Sequence, residues 1–273
     1  MKAFRFLFSI SLVSLMGFFE PTLAQNDIKE QLTIPLSDPT KPSSLHVNLI
    51  SGSIHVSAYA GKEVIIEATV KNNSEKREES SNGMKRLSTK GGLEITAEER
   101  NNTVKVSSRL MQRPLVLNIK VPTQCSLKVS TVNDGEISVE GVSGDFEITN
   151  VNGGIQLTNV SGSAVVNTIN GNLKANFKAV TDAPMAFSTL NGNVDVTFPP
   201  SAKFDVKLRS DRGEIYSDFD VDVDKTQPQS TKTSKDGMYK VSVSDWVQGK
   251  VNGGGKEVMM KNMHGNIYIR KGK

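Results

Sequence analysis

The chain has 273 residues, with 33 Lys and Arg against 29 Asp and Glu, a formal net charge of +4. So small a charge on so long a chain is not a nucleic-acid footprint. One cysteine excludes an internal disulfide framework and any multi-cysteine zinc or iron–sulfur site, and three histidines leave little for histidine-based catalysis.

Residues 1–24 read as an export signal peptide. Lys2 and Arg5 supply positive charge, Phe6 to Phe19 form an apolar run, and Ala24 offers a small residue before the cut, leaving Gln25 first. The competing reading is a membrane anchor. That needs roughly 20 apolar residues, and this run is shorter and interrupted by Ser9, Ser11 and Ser14. No later segment is apolar enough to cross a bilayer, so no transmembrane segment is expected in the mature chain. Residues 25–44, with Pro35, Pro39 and Pro42, read as a lead-in that covers an open strand edge. Residues 45–273 are expected to form one domain, with polar loops near 71–92 and 224–237.

Within that domain a repeat fixes the fold argument. Gly135, Gly144, Gly153, Gly162 and Gly171 stand nine residues apart. Apolar residues return at the second, fourth and seventh positions after each glycine: Ile137, Val139, Val142; Phe146, Ile148, Val151; Ile155, Leu157, Val160; Ala164, Val166, Ile169. The first two share one face of a strand. The third breaks that parity, and a chain that winds around an enclosed core can keep all three inward. The residue before each glycine alternates between a serine corner and an Asp or Asn corner, so like corners recur every 18 residues. Stacked coils would bring Asn152 and Asn170 roughly 4.8 Å apart, close enough for an amide ladder, with glycine supplying positive φ at the corners. The competing reading of Asn-Gly is a set of type I′ hairpin turns. Asn191-Gly192, Gly213-Glu214-Ile215, Gly265-Asn266-Ile267 and Ser51-Gly52-Ser53-Ile54 extend the pattern to both sides. The expected fold is an all-β, right-handed parallel β-solenoid (β-helix) with about 18–20 residues per coil, its last edge guarded by Arg270, Lys271 and Lys273.

The succession Leu117-Asn118-Ile119-Lys120-Val121-Pro122, Leu127-Lys128-Val129-Ser130-Thr131-Val132-Asn133-Asp134-Gly135, the Asn-Gly rungs, Gly213-Glu214-Ile215-Tyr216-Ser217-Asp218-Phe219 and Val251-Asn252-Gly253-Gly254-Gly255 before Gly265-Asn266-Ile267 resembles the bacterial putative-adhesin domain family. The resemblance implies an exported β-solenoid, and it transfers neither ligand nor catalytic residue.

Few constellations carry chemistry. Asp218, Asp220, Asp222 and Asp224 alternate with Phe219, Val221 and Val223, so a straight strand would line four carboxylates on one face. Such a row can gather a divalent cation, or it can be a solvated face balanced by Lys203, Lys207 and Arg209. The corners lack the later glycine and aspartate of a calcium β-roll, and no cofactor or metal is expected. Outward acids Glu136, Glu140, Asp145 and Glu147 are the raw material for a polysaccharide lyase or hydrolase, but no long loops accompany them. Trp246 reads as half-buried, Tyr59, Tyr216, Tyr239 and Tyr268 are scattered, and Cys125 shares strand parity with Leu127 and Val129, which makes it a buried thiol. His46 and His55 lack a third metal ligand. The expectation is a non-enzymatic, exported interaction module in the periplasm or at the cell surface, its partner an envelope protein or a glycan. The alternatives are a periplasmic structural scaffold and a solenoid polysaccharide enzyme.

Overall fold

Alternating sequences such as Leu45-His46-Val47 and Leu127-Lys128-Val129 bury every second side chain, as strand geometry requires. The computed structural model describes residues 27–70, 93–108, 114–133, 135–224, 230–235, 238–243 and 246–273. These residues form strands and turns and contain no helix. The export signal and the 71–92 segment lie outside the described residues.

The strands are β1 (Ile28–Pro35), β2 (Ser43–Asn48), β3 (Gly52–Tyr59), β4 (Glu63–Val70), β5 (Ile95–Arg100), β6 (Thr103–Ser108), β7 (Leu115–Pro122), β8 (Cys125–Thr131), β9 (Ile137–Glu140), β10 (Ser143–Asn150) and β11 (Ile155–Asn170). They continue as β12 (Leu173–Val180), β13 (Met185–Asn191), β14 (Val194–Phe198), β15 (Phe204–Ser210), β16 (Ile215–Ser217), β17 (Val221–Val223), β18 (Ser230–Lys235), β19 (Met238–Val243), β20 (Val247–Val251), β21 (Lys256–His264) and β22 (Ile267–Lys271). Each coil contributes one strand to each of two layers. The first layer runs β5, β6, β2, β8, β10, the second half of β11, β13, β21, β15, β20, β17. The second runs β1, β4, β7, β3, β9, the first half of β11, β12, β14, β22, β16.

The middle of the stack is the expected winding. Ile137 stands beside Ile155 and Ile155 beside Leu173, eighteen residues apart each time and in parallel register. The fold is nevertheless not parallel throughout. At one end β1 and β4, β4 and β7, and β5 and β6 pair antiparallel, and at the other β20 pairs antiparallel with β15 and β17. The β5–β6 reversal has a local cause: Asn101 and Asn102 take φ of 53° and 60°, the two positive values a type I′ hairpin turn requires.

The spatial order of coils also departs from chain order. The first coil, β2 and β3, is tucked between the coils β6–β7 and β8–β9. The last, β21 and β22, is tucked between β13–β14 and β15–β16. Arg270 and Lys271 therefore lie beside β14, inside the rack, and do not guard its edge. The lead-in supplies β1, which pairs with β4 and not with the first coil. The stretch 224–237, expected as a loop, contains β18, paired antiparallel with β19.

The core lies between the layers. Val47, Val129, Ile148, Val166, Phe187 and Met260 form one inward row, and Ile54, Ile137, Ile155, Leu173, Val194 and Ile267 form the facing one, all buried. Each such side chain contributes about 1.5–3 kcal/mol. Phe177, Phe198, Phe204 and Phe219 form a chain of ring contacts toward the C-terminal coils, with centroids 5.7, 4.7 and 5.8 Å apart. Of the twelve repeat positions, Val142 and Val160 at the serine corner are buried as expected, but Val151 is half-buried and Ile169 is 43% exposed. Winding keeps the third apolar residue inside at one corner and turns it out at the other.

Candidate interaction surface

The Asn-Gly corner is built from a four-residue unit that recurs along the rack: Asn150-Val151-Asn152-Gly153, Thr168-Ile169-Asn170-Gly171, Thr189-Leu190-Asn191-Gly192 and Asn262-Met263-His264-Gly265. Its first residue points inward and donates to a glycine carbonyl of the adjacent coil. The bonds run from Thr131 to Gly52 (2.9 Å), Asn150 to Gly135 (3.0 Å), Thr168 to Gly153 (2.9 Å), Thr189 to Gly171 (3.0 Å), Asn262 to Gly192 (3.1 Å) and Ser210 to Gly265 (2.9 Å). The second residue is apolar and turned outward. The third is the asparagine of the expected ladder: Asn152 donates to Asn133 at 3.1 Å, Asn170 to Asn152 at 2.9 Å and Asn191 to Asn170 at 2.7 Å. Asp134 lies outside the described residues, and Asn133 takes the ladder position there. His264 and Arg212 continue the column, 3.1 Å apart.

Glycine closes the unit for a steric reason. A Cβ on Gly135, Gly153 or Gly171 would stand 1.8, 1.9 or 2.2 Å from the backbone carbonyl oxygen of Gly52, Gly135 or Gly153. Positive φ is a further requirement at Gly162 (132°) on the serine corner and at Gly265 (119°), which closes the last of these units. At Gly144 and Gly192 a side chain would also meet backbone of the adjacent coil. The corners are thus drawn so close that neighbouring outward side chains fall into straight rows.

On the outside of the second layer one such row runs His55, Ser138, Gln156, Lys174, Asp195, Tyr268, Tyr216 across seven strands. His55 Nδ1 lies 2.7 Å from Ser138 Oγ. Arg270 donates to Asp195 at 2.7 Å and lies 5.0 Å from the Tyr268 ring, and Asp195 holds the Arg270 guanidinium above its usual range by a hydrogen bond and by charge. Tyr216 and Tyr268 stack with centroids 5.3 Å apart and planes 11° apart. Their positions looked scattered in the sequence because they are 52 residues apart and meet only where β22 lies beside β16.

The four aspartates do not share a strand. β16 ends at Ser217, the chain bends at Asp218 and Phe219, and only Asp222 lies within β17. The bend has a local support, since Ser217 Oγ accepts from the Phe219 amide and donates to its carbonyl, both at 3.0 Å. Asp218 accepts from the Lys271 amide at 3.3 Å, and Asp222 stands opposite Lys250. Two of the three expected balancing cations are engaged elsewhere: Arg209 pairs with Asp211 at 2.6 Å, and Lys207 lies 5.3 Å from the centroid of the half-buried Trp246. Among the described residues no three His, Cys, Asp or Glu side chains come together as metal ligands would. His46 and His55 sit on different layers. Burial, followed by the charges of Lys105 and Lys128, holds the His46 imidazole below its usual pKa. Cys125 is buried and its thiol is pushed up to about 11 by desolvation.

Two layers of parallel rungs with glycine corners and antiparallel ends define an all-β rack of the solenoid kind. The chain belongs to the Toastrack DUF4097 family, whose model matches residues 14–270. No curated protein matches the sequence. Among solved structures it is similar to a putative cell adhesion protein from Clostridium sporogenes, at 14% identity and a TM-score of 0.47 over 90% of this chain and 100% of that one. It is also similar to a putative adhesin from Bacteroides fragilis, at 12% identity and a TM-score of 0.44 over 91% and 98%. Among the described residues no helix is long and apolar enough to cross a membrane.

Proposed function

We propose that this chain is an exported, non-enzymatic interaction module that presents a rigid outer face to a glycan or an envelope protein, in the periplasm or at the cell surface. The observation that carries this reading is the registration of outward side chains. The ladder Asn133, Asn152, Asn170, Asn191 repeats one amide contact from coil to coil, and the row from His55 to Tyr216 crosses seven strands without a break. Many small polar contacts held in fixed rows lose little conformational freedom on binding, which lowers the ordering cost of association. Two of the four outward acids are held in contacts, which favours binding over proton transfer. Glu147 is ion-paired with Lys128 at 2.8 Å, and Asp145 accepts from Ser163 at 2.5 Å, so neither stands free.

The test uses the chain from Gln25 to Lys273 on glycan arrays and in cross-linked pull-downs, with cell fractionation and protease shaving to find its location. Retention of a glycan or an envelope protein by exported chain supports the reading. Turnover of a polysaccharide, or retention of the chain in the cytoplasm, contradicts it.

A further inference from the structure

We infer that the Tyr216 ring is the stacking platform of a binding site for a neutral, hydroxyl-rich glycan, a statement that rests on the reading of this chain as an interaction module and names what one part of its face takes. Tyr216 stands on β16, the last strand of the second layer among the described residues. One side of its ring is covered by Tyr268 at 5.3 Å, and the residue keeps 51% of its surface exposed. Tyr268 has a neighbour on each side, Asp195 and Tyr216, whereas no described strand follows Tyr216. The stack therefore ends on an aromatic ring ready for a further flat, weakly polar surface. The face of a sugar ring, with its C–H groups, is such a surface.

The flanks supply the polar half of the recognition. Glu214 and Asp218 flank β16 on either side of Tyr216, and both are exposed. Carboxylates accept from hydroxyls and have no donors of their own. The Arg270 guanidinium, 5.0 Å from Tyr268, adds donors on the inner side. Asp195, Glu214 and Asp218 stand against Arg270 and Lys271, which leaves one net negative charge over the patch, little to draw an ionic ligand. That balance favours a neutral glycan over a cationic peptide.

The experiment titrates the mature chain with cellohexaose, maltohexaose and the hexamer of N-acetylglucosamine, following binding by calorimetry. At least one probe should bind, Tyr216→Ala should weaken it about fivefold to tenfold, and Tyr216→Phe should stay within about twofold of the unchanged chain. Glu214→Gln should also weaken it, and circular dichroism on each variant checks that the fold is retained. Glycan binding that Tyr216→Ala leaves unchanged overturns the platform while the module reading stands. So does binding of none of the three probes alongside capture of an envelope protein. Displacement of a bound probe by a lysine-rich peptide overturns the assignment to neutral glycans. Capture of neither glycan nor envelope protein overturns both readings.

Discussion

The Thr168 hydroxyl donates to the Gly153 carbonyl of the adjacent coil at 2.9 Å. At the equivalent corners of the neighbouring coils the Asn150 amide and the Thr189 hydroxyl make the corresponding bonds to the Gly135 and Gly171 carbonyls. The contact satisfies a backbone acceptor that the tight corner leaves without a strand partner. It also stitches coil to coil at the place where the asparagine ladder runs just outside. Thr168→Val keeps the shape and removes the donor, so it should cost about 1–3 kcal/mol, read as a lower urea midpoint with an unchanged slope.

Gly153→Ala should be more damaging. Its Cβ would fall 1.9 Å from the Gly135 carbonyl oxygen, a backbone atom that cannot swing aside as a side chain could. Separation of the coils should cost about 3 kcal/mol or more. Gly272→Ala, whose Cβ would meet its nearest neighbour at 3.3 Å near the chain end, should change stability by less than about 0.5 kcal/mol. Thermal melting of the two variants checks the contrast.

The inward strand positions and the outward corner position of the repeat predict opposite responses to a charge. Leu157 is buried, and Leu157→Asp places an unpaired carboxylate in the core; Val139→Asp and Ile148→Asp do the same. All three should abolish the cooperative melting transition. Ile169 belongs to the same nonapeptide pattern but is turned outward, so Ile169→Asp should melt within about 0.5 kcal/mol of the parent chain. Retained melting in Leu157→Asp would refute the inward assignment.

The outward turn of Ile169 shows what the sequence could and could not carry. The nine-residue spacing of glycine and the return of Ile137, Phe146 and Ile155 specify strands, corners and the 18-residue offset, because burial demands them locally. Val160 and Ile169 both stand seventh after a glycine, and only the path of the chain through the corner buries the one and exposes the other. The order of coils is equally silent. The inward row of β3 packs as well on β9 as on β7, residues 63 positions further along the chain, so an apolar pattern cannot say which coil lies above which. The Thr-Ile-Asn-Gly unit was visible as letters. Its meaning, an inward donor, an outward apolar residue and an outward amide, depends on stacking. Tyr216 and Tyr268 gave no signal at all, since the insertion of β22 beside β16 is what brings them together.

Alkaline pH should weaken the fold through Cys125. Burial raises its thiol to about 11 from an ordinary value of 9.0, so the folded chain holds a proton that the unfolded chain releases. The contribution is fully present below pH 9 and is lost as pH rises toward 11. Cys125→Ala should flatten that part of the stability profile, and the thiol of the folded chain should react with a soluble disulfide reagent only as fast as the chain opens.

The parallel stacking of successive coils is tested most directly by disulfide trapping in a Cys125→Ser background. Ser138 and Gln156 are register partners on neighbouring parallel strands, within the Cα separation a disulfide spans, while Ser138 and Glu147 lie on different layers. Ser138→Cys with Gln156→Cys should cross-link rapidly on mild oxidation and leave the melting transition intact, and Ser138→Cys with Glu147→Cys should remain reduced. The reverse result, trapping of positions 138 and 147 without trapping of 138 and 156, would mean that the chain doubles back as hairpins and that the rack does not exist.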